Sequence, residues 1–409
     1  MRKKSFILYS LLVFAAVSCK DLGTSAGQQR VLPRPLTSLE KALVAADNTF
    51  GFKLFSAINK DEAGKNLFVS PVSVSMALGM TLNGANGATR DSMAQTLEFA
   101  GLSQSDINAS YNSLIALLTG LDPKVVFQIA NSIWYRPDLN VEQEFRDVNI
   151  QYFNAEVNSL DFGDPNAANT INGWVDRNTN GKIKEIVKSP IPRDAVMYLI
   201  NAIYFKGTWT YQFDQNLTRD DLFDLPDGSK IPCKLMYQKG TFRYFANNEV
   251  QVVDLPYGDA GFSMTVVLPK AGTKIDDFVA QMTQQRWMEW TSTLSSEEGE
   301  LYLPKFKLEY EKRLNDVLKA MGMAIAFSPS LADFTRIDKR GQLFISEVKH
   351  KTFVQVDEEG TEAAAVTSVE ISRTSLGLVI RVDRPFVFAI RENHSGTILF
   401  MGKIVQVSF

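Results

Sequence analysis

From Leu39 onward the apolar residues Leu39, Leu43, Ala46, Phe50 and Leu54 return at helical spacing. They open at Thr37-Ser38-Leu39-Glu40, which has the form of a capping box, so an amphipathic helix is predicted to start there. Leu67-Phe68-Val69 reads as a short strand running into Ser70-Pro71-Val72-Ser73, with proline favoured in a first helical turn and the serines suited to capping. Val125–Tyr135 is strand-like, with Phe127, Ile129, Ile133 and Tyr135 on one face. Residues 167–186 read as a helix that breaks at Asn180-Gly181. Val196–Phe205 is a nearly continuous apolar run, the pattern of a central strand covered on both faces. Further strands are predicted at 252–257, 262–268, 300–308 and 351–357, and helices at 275–289 and 311–321. Three closing strands follow at 378–382, 385–391 and 397–405. Strands and helices mix without regular alternation, which argues for an α+β fold rather than a doubly wound sheet.

Glu358–Ser375 departs from the other patterns. It begins as a loop, with two carboxylates and Gly360, yet alternates at period two thereafter. Thr361, Ala363, Ala365, Thr367, Val369 and Ile371 fall on one side; Glu362, Ala364, Val366, Ser368, Glu370 and Ser372 fall on the other. Every charge lies in the second set, the binary pattern of a half-buried strand. A helix is disfavoured because so many of these residues are β-branched. The segment is therefore loop-like at its start and strand-competent through its middle. Read alone, an Ala/Thr-rich surface loop also fits.

Composition narrows the rest. Hydrophobic residues make up 45% of the chain and charged ones 22%, enough for a large core and too apolar for disorder. A chain of 409 residues ordinarily suggests two or more domains, but no linker, charge block or repeat divides residues 37–409, so a single domain is expected there. A net charge of −3 implies neither nucleic acid nor an acidic membrane as a partner through bulk electrostatics. The two histidines are His350, just before the Glu358 stretch, and His394, in an Asn-His-Ser-Gly turn. No Gly-x-Ser-x-Gly, His-Glu-x-x-His or Cys-x-x-Cys motif occurs, and the glycine-rich run 84–90 lacks the Gly-Lys-Ser/Thr of a phosphate loop. The chain is expected not to be an enzyme and to need no metal or cofactor.

Arg2, Lys3 and Lys4 followed by the apolar Ser5–Val17 have the form of an export signal, too short to span a bilayer stably. It ends in Ala16-Val17-Ser18-Cys19, which resembles a bacterial lipobox. On that reading residues 1–18 are removed, Cys19 is lipidated, and residues 19–36, with Pro33 and Pro35, tether the domain to a bacterial membrane, at the outer membrane or cell surface. A plain secretory signal with an incidental cysteine is the alternative. The second cysteine, Cys233, is expected to be a partly buried, inert thiol beside a strand.

Glu358-Glu359-Gly360-Thr361-Glu362-Ala363-Ala364-Ala365 resembles the hinge of the serpin family, and Asp383-Arg384-Pro385-Phe386-Val387-Phe388 resembles that family's C-terminal signature. The resemblance spans residues 37–409. It implies three β-sheets with about eight or nine α-helices, an exposed reactive-centre loop at about 358–380, and a metastable native state. It implies a suicide inhibitor: a protease cleaves the loop, forms an acyl-enzyme, and is trapped when the loop inserts into the main sheet. Adding some 12–15 residues to a sheet forms roughly 15–25 ladder bonds at about 0.5–1.5 kcal/mol each, so the uncleaved fold persists behind a kinetic barrier. The family's spacing from Gly360 places the reactive bond at Thr374-Ser375, suited to elastase-like or subtilisin-like proteases. Arg373-Thr374 is a second bond for trypsin-like ones. Cysteine endopeptidases are further possible targets.

Ser70, Pro71, Ser73 and His350 fall in the family's shutter, beneath the centre of the main sheet, while Asn201 and Trp209 lie along the strand leading to its breach, where insertion starts. Read alone, Trp209 is more often a core residue than a switch. Val366 departs from the family's usual Ala, Ser or Thr but faces outward, so slower insertion is expected, not failure. Residues 105–122 hold no Lys or Arg, so polyanion activation is not expected. A monomer is expected. A non-inhibitory carrier or chaperone of the same fold is the alternative, although such members typically spoil the hinge.

Overall fold

The structure is a computed structural model and describes residues 33–361 and 378–409. Helix α1 (Ser38–Asp61) opens as its capping box dictates: the Glu40 amide donates to Thr37 Oγ1 at 3.2 Å and the Thr37 amide to Glu40 Oε2 at 2.7 Å. After strand β1 (Leu67–Val69), helix α2 (Pro71–Leu82) starts with Pro71 in its first turn and Ser70 as its cap. Helices α3 (Gly87–Thr96), α4 (Gln104–Gly120) and α5 (Gln143–Phe153) complete one flank.

The main sheet has six strands in the order β10 (Phe306–Arg313), β11 (Lys349–Val356), β12 (Gly360–Thr361), β4 (Met197–Thr208), β2 (Val125–Tyr135) and β3 (Ala155–Ser159). Alternation along β4 serves two cores. Ile200 and Ala202 pack with Ile171, Trp174 and Val175 of helix α6 (Ala167–Asn178), which lies across the outer face. Asn201 meets Met76 of α2 on the inner face.

The second network runs β1, β15 (Ile398–Ile404), β14 (Phe386–Glu392), β8 (Phe262–Pro269), β7 (Val250–Tyr257), β6 (Lys230–Ala246), β9 (Ser295–Pro304) and β13 (Leu378–Arg381), with β5 (Arg219–Asp224) on β6. The 17-residue β6 divides it into two leaves: Leu235–Tyr244 pair with β9, whereas β7 takes only Arg243–Ala246. With the main sheet this gives three sheets. Nine α-helices occur among the described residues, α7 (Ile275–Ala280), α8 (Gln284–Ser292) and α9 (Asn315–Leu318) being the last three. The α+β expectation holds.

Several predicted bounds are corrected. The helix at 275–289 is two helices, because Thr283 caps a new one by accepting from the Arg286 amide. The strand at 300–308 is two strands parted at Lys305, and residues 311–313 continue β10 instead of opening a helix. The helix at 167–186 ends at Asn178. Cys233 is buried, and burial pushes its thiol up to about 11.

Candidate functional site: the head and centre of the main sheet

Strand β11 delivers the chain to a tight turn. Asp357 Oδ1 accepts from the Glu359 amide at 3.1 Å and the Gly360 amide at 3.4 Å, while the Asp357 amide donates to Gly360 O. Gly360 is required by close approach: a Cβ there would lie 2.1 Å from Gly207 O and 2.8 Å from Thr208 Cα. The chain then descends as β12, with Gly360 opposite Thr208 and Thr361 opposite Gly207 and Val356.

Two polar anchors hold this turn. The buried Glu358 carboxylate accepts from Thr218 Oγ1 at 2.7 Å and pairs with Lys305 Nζ at 2.8 Å. Burial pushes that carboxyl up, but the bonds from Lys305 and Thr218 outweigh it and leave it below the ordinary carboxylate range. On the other side the Trp209 amide donates to Glu359 O, its indole Nε1 to Asp357 O, and the Phe213 amide to Glu358 O, each at 2.9 Å. Trp209 stacks on Tyr257 with ring centroids 4.4 Å apart, and Tyr257 OH lies 2.6 Å from Thr361 Oγ1. Burial holds the Tyr257 phenol far above its ordinary value, so it is neutral and free to share its proton with Thr361. Trp209 is thus both core and clamp.

Lower in the sheet, the Ser70 amide donates to His350 Nε2 at 2.9 Å, and Ser70 Oγ donates to Leu399 O at 2.7 Å. The Ser73 amide reaches Ser70 Oγ at 3.4 Å. Burial lowers the His350 pKa to about 4, so the imidazole is neutral and accepts at Nε2. This ties β11 to the start of α2. Across the sheet, Asn201 Nδ2 donates to Asn131 Oδ1 at 2.7 Å, whereas among the described residues its buried Oδ1 has no hydrogen-bond partner. Ser70, Ser73, Asn201 and His350 line one cleft between α2, β4 and β11.

The structure therefore assembles Glu358, Glu359, Gly360, Thr361 and Trp209 at the head of the sheet, and Ser70, Pro71, Ser73, Asn201 and His350 at its centre. Glu362, Ala363, Ala364, Ala365, Arg373, Thr374, Ser375 and Cys19 lie outside the described residues. Sequence reasoning missed Lys305, Thr218, Asp357 and Tyr257. Only Asp357 carried a local signal, an Asx residue ahead of a turn glycine.

The sequence model of the family described as Serpin (serine protease inhibitor) matches residues 45–407. The chain belongs to the serpin family. Human neuroserpin is 36% identical to it over 366 residues, covering 86% of this chain and 89% of that protein. Among solved structures, the native state of the thermophilic serpin tengpin superposes with a TM-score of 0.83 at 30% identity, covering 92% of this chain and 96% of that one. Human thyroxine-binding globulin complexed with thyroxine gives 0.83 at 28% identity, covering 91% and 100%. Membership supports protease inhibition over catalysis in general terms. The serpin fold also carries a thyroxine-binding globulin, so membership by itself does not assign an inhibitory role.

Proposed function

We propose that this serpin is a suicide-substrate inhibitor of serine endopeptidases, with cysteine endopeptidases as further targets. It is cut at Thr374-Ser375 by elastase-like or subtilisin-like enzymes and at Arg373-Thr374 by trypsin-like ones. The observation that carries this reading is the head of the main sheet: among the described residues, β4 and β11 are joined only through the two residues of β12. If the cleaved loop were inserted in that register, Ala363 would lie between Phe205 and Val354, Ala365 between Ile203 and Thr352, and Thr367 between Asn201 and His350. Insertion would put small side chains on the inner face and the Thr367 hydroxyl at Asn201 Oδ1, which is buried and without a partner among the described residues.

On the outer face Glu362 falls opposite Lys206. Lys182 and Lys307 flank the nearby Phe353 ring at 5.0 and 5.6 Å from its centre. Burial, then the charges of Lys307 and Lys206, lower the Lys182 pKa, and an incoming carboxylate relieves that repulsion.

The test mixes the purified protein with elastase, subtilisin, trypsin and a papain-like enzyme. SDS-stable adducts are expected, with a released fragment beginning at Ser375, or at Thr374 with trypsin. Clean cleavage without adducts from all four would leave a carrier or chaperone reading in its place. We also propose that residues 1–18 are removed, that Cys19 carries a lipid, and that 20–36 tether the domain 37–409 to a bacterial membrane. The intact mass of the protein recovered from membranes reports this, an unmodified N-terminus counting against it.

The register gives a second expectation. Thr367→Val keeps shape but removes the hydroxyl, so the cleaved form should lose about 1–3 kcal/mol while the uncleaved form is unchanged. Equal thermal midpoints for the cleaved variant and the cleaved parent would show that Thr367 does not reach Asn201.

A further inference from the structure

Lys305 is the single residue between β9 and β10. Its ammonium pairs with Glu358 on one side and, on the other, lies 4.4 Å from the centre of the Phe409 ring. The Lys305 side chain is only 18% exposed, whereas Phe409 is 62% exposed, so the ring presents one face to the cation and the other to water. Its placement is fixed by the residues before it. The Val405 and Gln406 amides donate to Asn66 Oδ1 at 2.7 and 3.1 Å. Val407 is buried, and the Lys307 amide donates to Ser408 O at 2.7 Å on the edge of the main sheet. Ser408 Oγ returns a bond to Lys307 O at 3.3 Å. Residues 405–408 therefore run beside the start of β10 and deliver Phe409 over Lys305.

We propose that Phe409 is a positioning residue for the hinge: its ring holds the Lys305 ammonium against Glu358, excludes water from that side, and so sets how readily the turn at 357–360 leaves the head of the main sheet. The physical basis is twofold. The negative face of an aromatic ring attracts a cation, and the attraction grows when the cation is partly desolvated. Covering Lys305 also closes its competing arrangement, in which the ammonium turns out to bulk water and leaves Glu358 buried and unpaired. The effect reaches the turn directly, because Glu358 O and Glu359 O accept the Phe213 and Trp209 amides.

This inference concerns the uncleaved hinge and holds whether or not a protease is trapped, so its test uses none. Hydrogen exchange is followed by mass spectrometry at the peptides carrying the Asp357, Trp209 and Phe213 amides. Phe409→Leu keeps an apolar side chain but loses the ring, and is expected to raise exchange there about three- to tenfold. Phe409→Trp is expected to exchange as slowly as the parent. Peptides of β14 are expected to be unaffected in both. In a Lys305→Met background, Phe409→Leu should add nothing, because the cation it acts through is gone. The proposal is overturned if Leu behaves as the parent, if Trp behaves as Leu, or if the Leu effect persists without Lys305. Should Lys305→Met fail to fold, the contrast between Leu and Trp decides alone.

Discussion

Replacing Thr361 with arginine is expected to turn the inhibitor into a substrate, with SDS-stable adduct falling at least about tenfold and cleaved, released protein rising in its place. Thr361 is 4% exposed, lies over Gly207 and bonds to the neutral, buried Tyr257. An arginine there loses that bond and must either bury a guanidinium against the Trp209–Tyr257 stack or keep the first residue of the new strand out of the sheet. Burying one uncompensated charge costs several kcal/mol, and under the proposed trapping mechanism every ~1.4 kcal/mol on the insertion step shifts its competition with acyl-enzyme hydrolysis by a factor of ten. Thr361→Val serves as the control, since it keeps the volume and should keep most of the trapping. Undiminished adduct formation by the arginine variant would mean that insertion does not begin at this residue.

Elements governed by local rules were legible in the sequence. The capping box at Thr37 and Glu40, the proline start at Pro71 and the strand Val125–Tyr135 all stand where spacing and propensity put them. Of the hinge residues only Glu358, Glu359, Gly360 and Thr361 are described, and the turn they form follows from Asp357 and Gly360. Failures occurred where tertiary contacts overrode pattern. Lys312 lies on the inward side of β10 because it pairs with Asp61 and Glu62, so the alternation of Phe306, Leu308 and Tyr310 ends in a cation that reads as the surface of a helix. Strand β6 carries Pro232 and Gly240 and changes neighbours midway, which masks any single period.

The anchors of the hinge were invisible for a different reason. Thr218, Tyr257 and Lys305 are between about 50 and 140 residues from Glu358 and Thr361 in sequence, and nothing local marks them. Asp47, in contrast, is marked by its position in the sequence. It lies four residues after Leu43 and three before Phe50, on the apolar stripe of α1.

Asp47→Asn is expected to stabilise the uncleaved protein at pH 8 and to give no gain near pH 4. Asp47 is 2% exposed, and its Oδ1 accepts from Ser75 Oγ at 2.6 Å and Tyr111 OH at 2.8 Å. Among the described residues Oδ2 has no partner, and no cation is among the groups that shift its titration. Burial raises its pKa from an ordinary 3.8 to about 7, although the two hydroxyls pull the other way. A carboxyl raised in the fold contributes its full stability below pH 3.8, loses it as pH rises through about 7, and leaves a constant deficit above. Three units correspond to ~4 kcal/mol, of which asparagine should recover about 1–3, since its own amide donors gain no new partner.

His350 acts in the opposite sense. Burial lowers its pKa from 6.5 to about 4, so its stability is present above pH 6.5 and is lost as pH falls toward 4. Between about pH 4 and 6.5 the two groups oppose each other, and the parent's thermal midpoint should vary little there. The variant lacks the Asp47 contribution and should lose stability steadily on acidification through the same range. The decisive measurement is therefore the difference in midpoint between variant and parent, in which His350 cancels. It should be a few degrees positive at pH 8 and a few degrees negative by pH 4, where the parent carboxyl is protonated and asparagine still lacks partners for its amide donors. A difference that stays constant from pH 4 to pH 8 would place the titration elsewhere than at Asp47.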